Sequence, residues 1–322
     1  MGPMRSPAAS VAWWPGPPGS SRARVTPIWL RSGSISTRAH SNGRLAGIAL
    51  LLLFAPGCYY AHLAEGQLRI LRARQPIDQV LADDATPPTA RESLALVEAV
   101  RSHAQRIGLR VGGQYRAYAA WPGDRVVTAL VATRPGEIEA AGFWFPLIGT
   151  QPYKGFFDLA RAEREAAALR ARGLDTCLVA VPAYSTLGWF DDPVITPMLQ
   201  GGSGPLVEVL LHELVHATVF VPGDADFNES VASFVGQEAA VRFFAERGDA
   251  AAAQRERERA TDDRAVASVL ASLRAKIAEL YATADDGARS TARGQLESDA
   301  RAALRALPLT SRAAAELAAR IP

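Results

Sequence analysis

Leu206-Val207-Glu208-Val209-Leu210-Leu211-His212-Glu213-Leu214-Val215-His216-Ala217-Thr218 decides how the rest of the chain is read. The run is apolar, lacks Pro and Gly, and predicts a helix. At about 100° per residue, positions i and i+4 fall almost on one line, so His212 and His216 project side by side toward one ion. Glu213 stands one step round the helix, placed to orient a water and take its proton. A catalytic zinc site takes three protein ligands and keeps one position open. The third is expected from Phe227-Asn228-Glu229-Ser230-Val231-Ala232. Residues 217–228, which include Pro222-Gly223, give the chain room to turn back and present Glu229.

His-Glu-x-x-His alone is a short motif that recurs by chance on amphipathic helices with incidental histidines. Uncharged Leu214 and Val215, the apolar lead-in and the acid on a following helix strengthen it here. The expectation is one Zn2+ per chain on His212, His216 and Glu229, with Glu238 as the fallback third ligand. Glu213 would be the base that later passes its proton to a leaving amine. Asn228 is expected to orient Glu229 or the backbone. Glu208 lies on the line of the two histidines, where it either holds an imidazole through its second nitrogen or is a solvated charge.

Outward from that helix the chain divides by composition. Residues 1–40 are rich in Pro, Gly, Ser and Arg without a hydrophobic period, and read as a disordered or misassigned extension. Residues 41–57 carry Arg44, an apolar run over 45–54 and Ala55-Pro56-Gly57 before Cys58, which describes an export signal whose run is too short to span a bilayer comfortably. A cysteine directly after small residues resembles a bacterial lipoprotein signal. Cys58 is therefore the expected lipidation site, anchoring the protein to a bacterial membrane, the outer one if the cell has two, facing the periplasm. A formal charge of +2 with no basic block from residue 60 onward excludes a nucleic-acid surface.

Residues 58–248 are expected to form the catalytic domain. Apolar spacing predicts helices over Tyr59–Arg74 and Thr89–Gly108, the second opened by a Thr89/Glu92 capping box. His103 on that helix has no metal-spaced partner and reads as an ordinary histidine. The period then changes to two, predicting strands over 126–133, 143–149 and 177–181, the second kept at an edge or ended by Pro146, with a helix from Asp158 to Arg172 capped by Asp158 and closed by Gly173. Asp226 or Asn228 should cap the helix bearing Glu229, which runs to Arg247. Residues 249–322, rich in Ala, Arg and Glu, predict two or three further helices. Tyr281 there is either a proton donor entering the cleft or packing between those helices.

Several blocks together carry a resemblance: Gly57-Cys-Tyr-Tyr60, Gly66-Gln-Leu68 and Pro76-Ile77; Phe145-Pro146, Pro152-Tyr153 and Gly155-Phe-Phe157; Ala183 to Pro193; and His212 to Thr218 with Asn228-Glu229. The combination resembles a bacterial family of predicted aminopeptidases, zinc-dependent and often lipoproteins. The resemblance implies that His212, His216 and Glu229 bind zinc, that Glu213 is catalytic, and that the chain stands near the gluzincins. The expected fold is α+β and zincin-like, a small mixed or antiparallel sheet packed on the metal helix, followed by a mainly helical C-terminal part. Tyr184, Ser185, Thr186 and Gly188, just upstream of that helix, would line a strand edge that pairs with peptide substrate; the alternative is core packing. Asp191 or Asp192 would attract a free amine or simply close a turn. Endopeptidase action, or a non-catalytic envelope lipoprotein with structural zinc, stays open beside the aminopeptidase reading. The oligomeric state has no signature in the sequence.

Overall fold

The computed structural model describes residues 59–145, 149–183, 191–221, 224–283 and 286–321. The expectations for residues 1–57, for Cys58 and for Tyr184, Ser185, Thr186 and Gly188 therefore lie outside the described residues.

Helix α1 (Tyr59–Ala73) buries His62, Gly66 and Ile70, one residue per turn on a single face. A Cβ at Gly66 would lie 2.0 Å from the Phe157 ring, so only glycine allows that aromatic to seat against the helix. After β1 (Arg74–Pro76) and α2 (Ile77–Ala82) comes α3 (Pro88–Arg106). It opens behind Pro87 with Pro88 in its first turn and no side-chain cap, which replaces the expected Thr89/Glu92 box. The physical reason is that proline's fixed φ suits the first turn, where its missing N–H costs nothing. Leu94, Val97, Val100 and Ala104 of α3 are fully buried. His103 is a core residue whose Nδ1 lies 3.1 Å from Glu246.

Strands β2 (Ala117–Ala119) and β8 (Val194–Ile195) pair in parallel, and β1 joins β2 on its other side. A second sheet has the order β6–β3–β7, from β3 (Val127–Thr133), β6 (Tyr153–Phe156) and β7 (Asp175–Val181). Both neighbours run antiparallel to β3, with Leu130 facing Lys154 on one side and Leu178 on the other. Helix α4 (Leu159–Ala171) crosses between them and buries Ala162, Ala166 and Leu169 on Leu130 and Phe156. Its cap is the expected one: the Asp158 carboxylate accepts the Arg161 N–H at 2.8 Å, and Gly173 closes it at φ +84°. The strand expected from residue 143 ends at Phe145, before Pro146, as one of its two readings had it, and this β4 (Phe143–Phe145) pairs antiparallel with β5 (Gly149–Gln151), which the sequence did not separate from it.

Short α5 (Thr196–Leu199) leads to α6 (Ser203–Thr218), the metal-motif helix, and α7 (Ala225–Glu246) packs along it. Leu206, Val207, Leu210, Leu211 and Leu214 of α6 join Ala239, Ala240 and Phe243 of α7 and the α3 residues in the main core. The long α8 (Ala250–Thr283), α9 (Asp286–Ala306) and the short α10 (Ala314–Ala318) follow, with a small core of their own around Val266 and Leu304. The architecture is thus mixed α+β with small sheets and a helical C-terminal part.

Candidate metal centre

Helix α6 is held rigidly because most of its circumference is buried, His216 included. Gly202 precedes it at φ +83°, a left-handed backbone in which other residues are strained. At its end the Thr218 hydroxyl donates to Leu214 O at 2.6 Å and accepts the Arg110 N–H at 2.9 Å, fixing where the helix stops.

The return to α7 is fixed by one side chain. Buried Asn228 accepts the Val221 N–H with its Oδ1 and donates from Nδ2 to Val221 O, both at 2.8 Å. That two-pronged clasp satisfies one backbone unit and sets the register at which the next residue, Glu229, meets α6. Asn228 thus orients the backbone, while the cap falls to Asp224, which accepts the Phe227 N–H at 3.0 Å, in place of Asp226 or Asn228. Gly236 completes the approach: a Cβ there would sit 3.1–3.2 Å from His212 N, Cα and Cβ, so a side chain at this position would press on the metal helix itself.

The structure brings the three expected ligands together. His212 Nε2 lies 3.1 Å from His216 Nε2 and 3.4 Å from Glu229 Oε2, and His216 Nε2 lies 3.5 Å from Glu229 Oε1. Among the described residues, these three form the group of His, Cys, Asp or Glu side chains able to share an ion. Ligands about 2.0–2.1 Å from a tetrahedral zinc stand about 3.3–3.4 Å apart, so the observed edges fit that ion. Burial supports the same fit, because the buried Glu229 Oε2, one of the converging atoms, has no hydrogen-bond partner. Glu238, the fallback, is exposed on α7 and outside the group.

Electrostatics favour a charged carboxylate here. Burial pushes the Glu229 pKa up, but the two imidazoles outweigh it and hold it down at about 2. For His212 burial pushes down, and Glu229, Glu213 and Glu208 together push its pKa up.

Two tyrosines without an assigned role in the sequence lie near enough to Glu213 to feel its charge. Tyr153, at the start of β6, has its pKa raised by burial and then by the charges of Glu229 and Glu213. Tyr115 is buried, and its pKa is raised by burial, then by Glu213 and Asp192. It is the one described non-glycine residue in the left-handed region, at φ 60°, a conformation that costs on the order of 1 kcal/mol or more. Its N–H donates to Asp192 O at 2.8 Å while Gln114 Oε1 accepts the Asp192 N–H at 2.7 Å, and the Arg101 guanidinium holds Gln114 O at 2.8 Å. Asp192 is buried in this lattice. Tyr153 lies in a block that carries the family resemblance, the one signal that could have found it; nothing in the sequence marks Tyr115.

Glu208 resolves differently from both of its readings. It is neither solvated nor bonded to an imidazole; it accepts from Arg259 of α8 at 2.5 Å, and Arg259 also pairs with Glu256. Tyr281 packs within the tail, where its hydroxyl accepts from Arg293 at 2.9 Å.

No curated protein and no solved structure matches the chain. A family model described as "Putative aminopeptidase" matches residues 58–316, from the start of α1 through nearly all of the C-terminal helices. With most of its length matched by that one model, the chain belongs to this aminopeptidase family.

Proposed function

We propose that the protein is a zinc-dependent peptidase, zincin-like in fold, acting as an aminopeptidase and held at a bacterial membrane by a lipid on Cys58. The observation that carries the chemistry is the convergence of His212, His216 and Glu229 within 3.1–3.5 Å, with Glu213 beside them on the same helix. A zinc ion bound by these three would supply Lewis acidity and lower the pKa of a water toward about 7. Glu213 takes the proton of the attacking water and returns it to the departing amine, a role worth roughly a hundred- to ten-thousandfold in rate. Tyr153 faces both carboxylates with its phenol kept protonated, which suits a donor to the oxyanion that forms as the carbonyl is attacked.

The substrate side rests on an edge. Strand β7 is the outer strand of its sheet and ends at Val181, so Tyr184, Ser185, Thr186 and Gly188 follow directly from an edge able to add a peptide as a further strand. Family membership supports hydrolysis of peptides from a free amino end.

The test pairs a mechanism with a specificity. Purified protein should carry one zinc per chain and cleave aminoacyl reporter substrates. Glu213→Gln should keep the metal and lose about a hundredfold or more of the rate. Unchanged hydrolysis in that variant removes Glu213 from the mechanism. Activity confined to N-blocked peptides replaces the aminopeptidase reading with an endopeptidase.

A further inference from the structure

We propose that the cleft where α1 meets β6 and α4 binds the phosphate of an anionic phospholipid, so that this face of the protein lies on the membrane. The cleft holds about 240 Å³ and is lined by Lys154, Arg161, Arg164 and Glu165 between the rings of Tyr59 and Phe156. Sites for drug-sized molecules run from about 300 Å³ upward, so this one suits a small headgroup.

Its charge is lopsided. Glu165 is taken by Lys154, Nζ to Oε1 at 2.8 Å, and the same ammonium lies 4.6 Å from the centre of the Tyr59 ring. Arg161 and Arg164 stand three residues apart on α4, a spacing that puts both on one helix face. Neither guanidinium pairs with a carboxylate among the described residues. Two forked guanidiniums beside a lysine match the planar, multiply accepting edge of a phosphate better than they match any single carboxylate.

The rim fits a lipid surface. Tyr60 is 47 % exposed. Tyr59, which lines the cleft, packs edge-on to Tyr60 at 5.7 Å, so that exposed ring borders the cleft. Tyrosine favours the boundary between headgroups and acyl chains.

Position supplies the third argument, and it rests on the lipid-anchor part of the proposed function, not on the metal chemistry. Tyr59 lines the cleft and is pinned there, its hydroxyl donating to Gly155 O at 2.8 Å. Cys58 precedes it by one peptide unit, about 3.8 Å between Cα atoms. A lipid on that cysteine therefore enters the bilayer beside the arginines. Side chains alternate along β6, so Lys154 and Phe156 face the cleft while Tyr153 faces Glu229 and Glu213. A membrane held at the cleft leaves the metal centre on the other face of the strand, open to soluble peptide.

The full chain carrying Cys58→Ala, which cannot be acylated, is sedimented with vesicles of phosphatidylcholine alone or of equal parts phosphatidylcholine and phosphatidylglycerol. The apolar run over 45–54 is common to every sample, so only differences between vesicles and between variants are read. Binding should favour the anionic vesicles, and Arg161→Gln with Arg164→Gln should weaken it roughly twenty- to thirtyfold, about fivefold per basic side chain. Arg305→Gln with Arg320→Gln, the same change of charge on exposed arginines near the C-terminus, should leave binding unchanged. Equal binding to both vesicles overturns the proposal, as does equal weakening by the two pairs, which would mean diffuse attraction. Inorganic phosphate is titrated by calorimetry as a separate arm. Tight phosphate binding without vesicle preference would assign the cleft to the free ion and overturn the lipid. Peptidase activity retained in the Arg161/Arg164 variant shows that it folds, and a Cys58→Ala protein with both arginines that prefers anionic vesicles but hydrolyses no peptide would count against the proposed function alone.

Discussion

Glu208 and His212 stand one turn apart on α6, yet each belongs to a polar cluster of opposite construction. Around Glu208 the groups close on one another: Arg259 reaches both Glu208 and Glu256 across three well-buried side chains. Around His212 they do not close, since Glu229 Oε2 is buried without a hydrogen-bond partner. Charge follows the same division. Burial raises the Glu256 pKa, with the neighbouring Glu208 adding to it, and Arg259 does not fully offset them. Glu229, equally an acid against a helix, is held at about 2. A cluster that satisfies itself serves the fold, whereas one that keeps a buried anion and leaves donor atoms facing inward is prepared for a cation from outside.

The sharpest break in that comparison comes from Glu229→Gln. It keeps the volume and removes the charge, so zinc affinity should fall at least about a hundredfold, beyond the tenfold to hundredfold typical of residues that only support a ligand. Metal titration against a chelator measures it. Full zinc affinity in this variant would make the convergence of the three side chains incidental.

Arg259→Met should do the reverse. It leaves Glu208 and Glu256 facing each other away from water, a loss of about 3 kcal/mol by the cost of breaking a buried pair. Denaturant unfolding reads the loss, and zinc stoichiometry in the folded fraction should stay at one. Adding Glu256→Gln, which removes the surplus carboxylate, should restore part of the stability. If metal affinity collapsed together with stability, the two clusters would be a single unit.

These two clusters also mark how far the sequence could be read. The metal helix was legible because its signal is local: four residues of spacing put two histidines on one line, and a buried helix must be apolar around them. Glu229 was legible for the same reason, an acid at the start of the next helix. The cap of that helix was not, because Asp224, Asp226 and Asn228 all fit the start, and only the loop geometry commits Asn228 to Val221 and leaves the cap to Asp224. Arg259 is 51 residues from Glu208, among many arginines on a helix with little amphipathic pattern, so nothing nearby announces the pairing. The hairpin of β4 and β5 was read as one strand because both arms are short and the reversal falls inside a single apolar run. Tyr115 is set by a backbone conformation that no residue type other than glycine advertises.

Gly236→Ala tests whether the metal centre depends on helix contact as well as on its donors. Alanine is the better helix former by about 1 kcal/mol. Its Cβ, however, would meet the His212 backbone at 3.1–3.2 Å, and backbone cannot rotate aside as a side chain can. Overpacking should therefore win by about 1 kcal/mol. Because α7 carries Glu229, the shift should also cost about tenfold in zinc affinity, a smaller effect than losing the carboxylate. Unchanged affinity would mean that the Asn228 clasp alone holds the ligand.

The smallest expected effect lies at His62, in the wall of the lipid-facing cleft, and it extends the comparison to a third kind of polar site, satisfied but titratable. Its Nε2 accepts the Phe157 N–H at 3.0 Å, which requires that nitrogen to be unprotonated. Burial lowers its pKa from the ordinary 6.5, and Arg161 lowers it further against the weaker pull of Asp158 and Glu65. Below 6.5 the unfolded chain therefore binds more protons than the folded one. The histidine's contribution is complete above that value and is lost as the pH falls through the folded pKa. His62→Gln retains an acceptor that cannot titrate, so its unfolding free energy should fall less steeply with acid across this window, at a cost of about 1 kcal/mol or less at neutral pH. An anion between Arg161 and Arg164 offsets the charge that helps to lower His62. Anionic vesicles should then flatten the acid dependence of the parent protein and leave that of His62→Gln where it was.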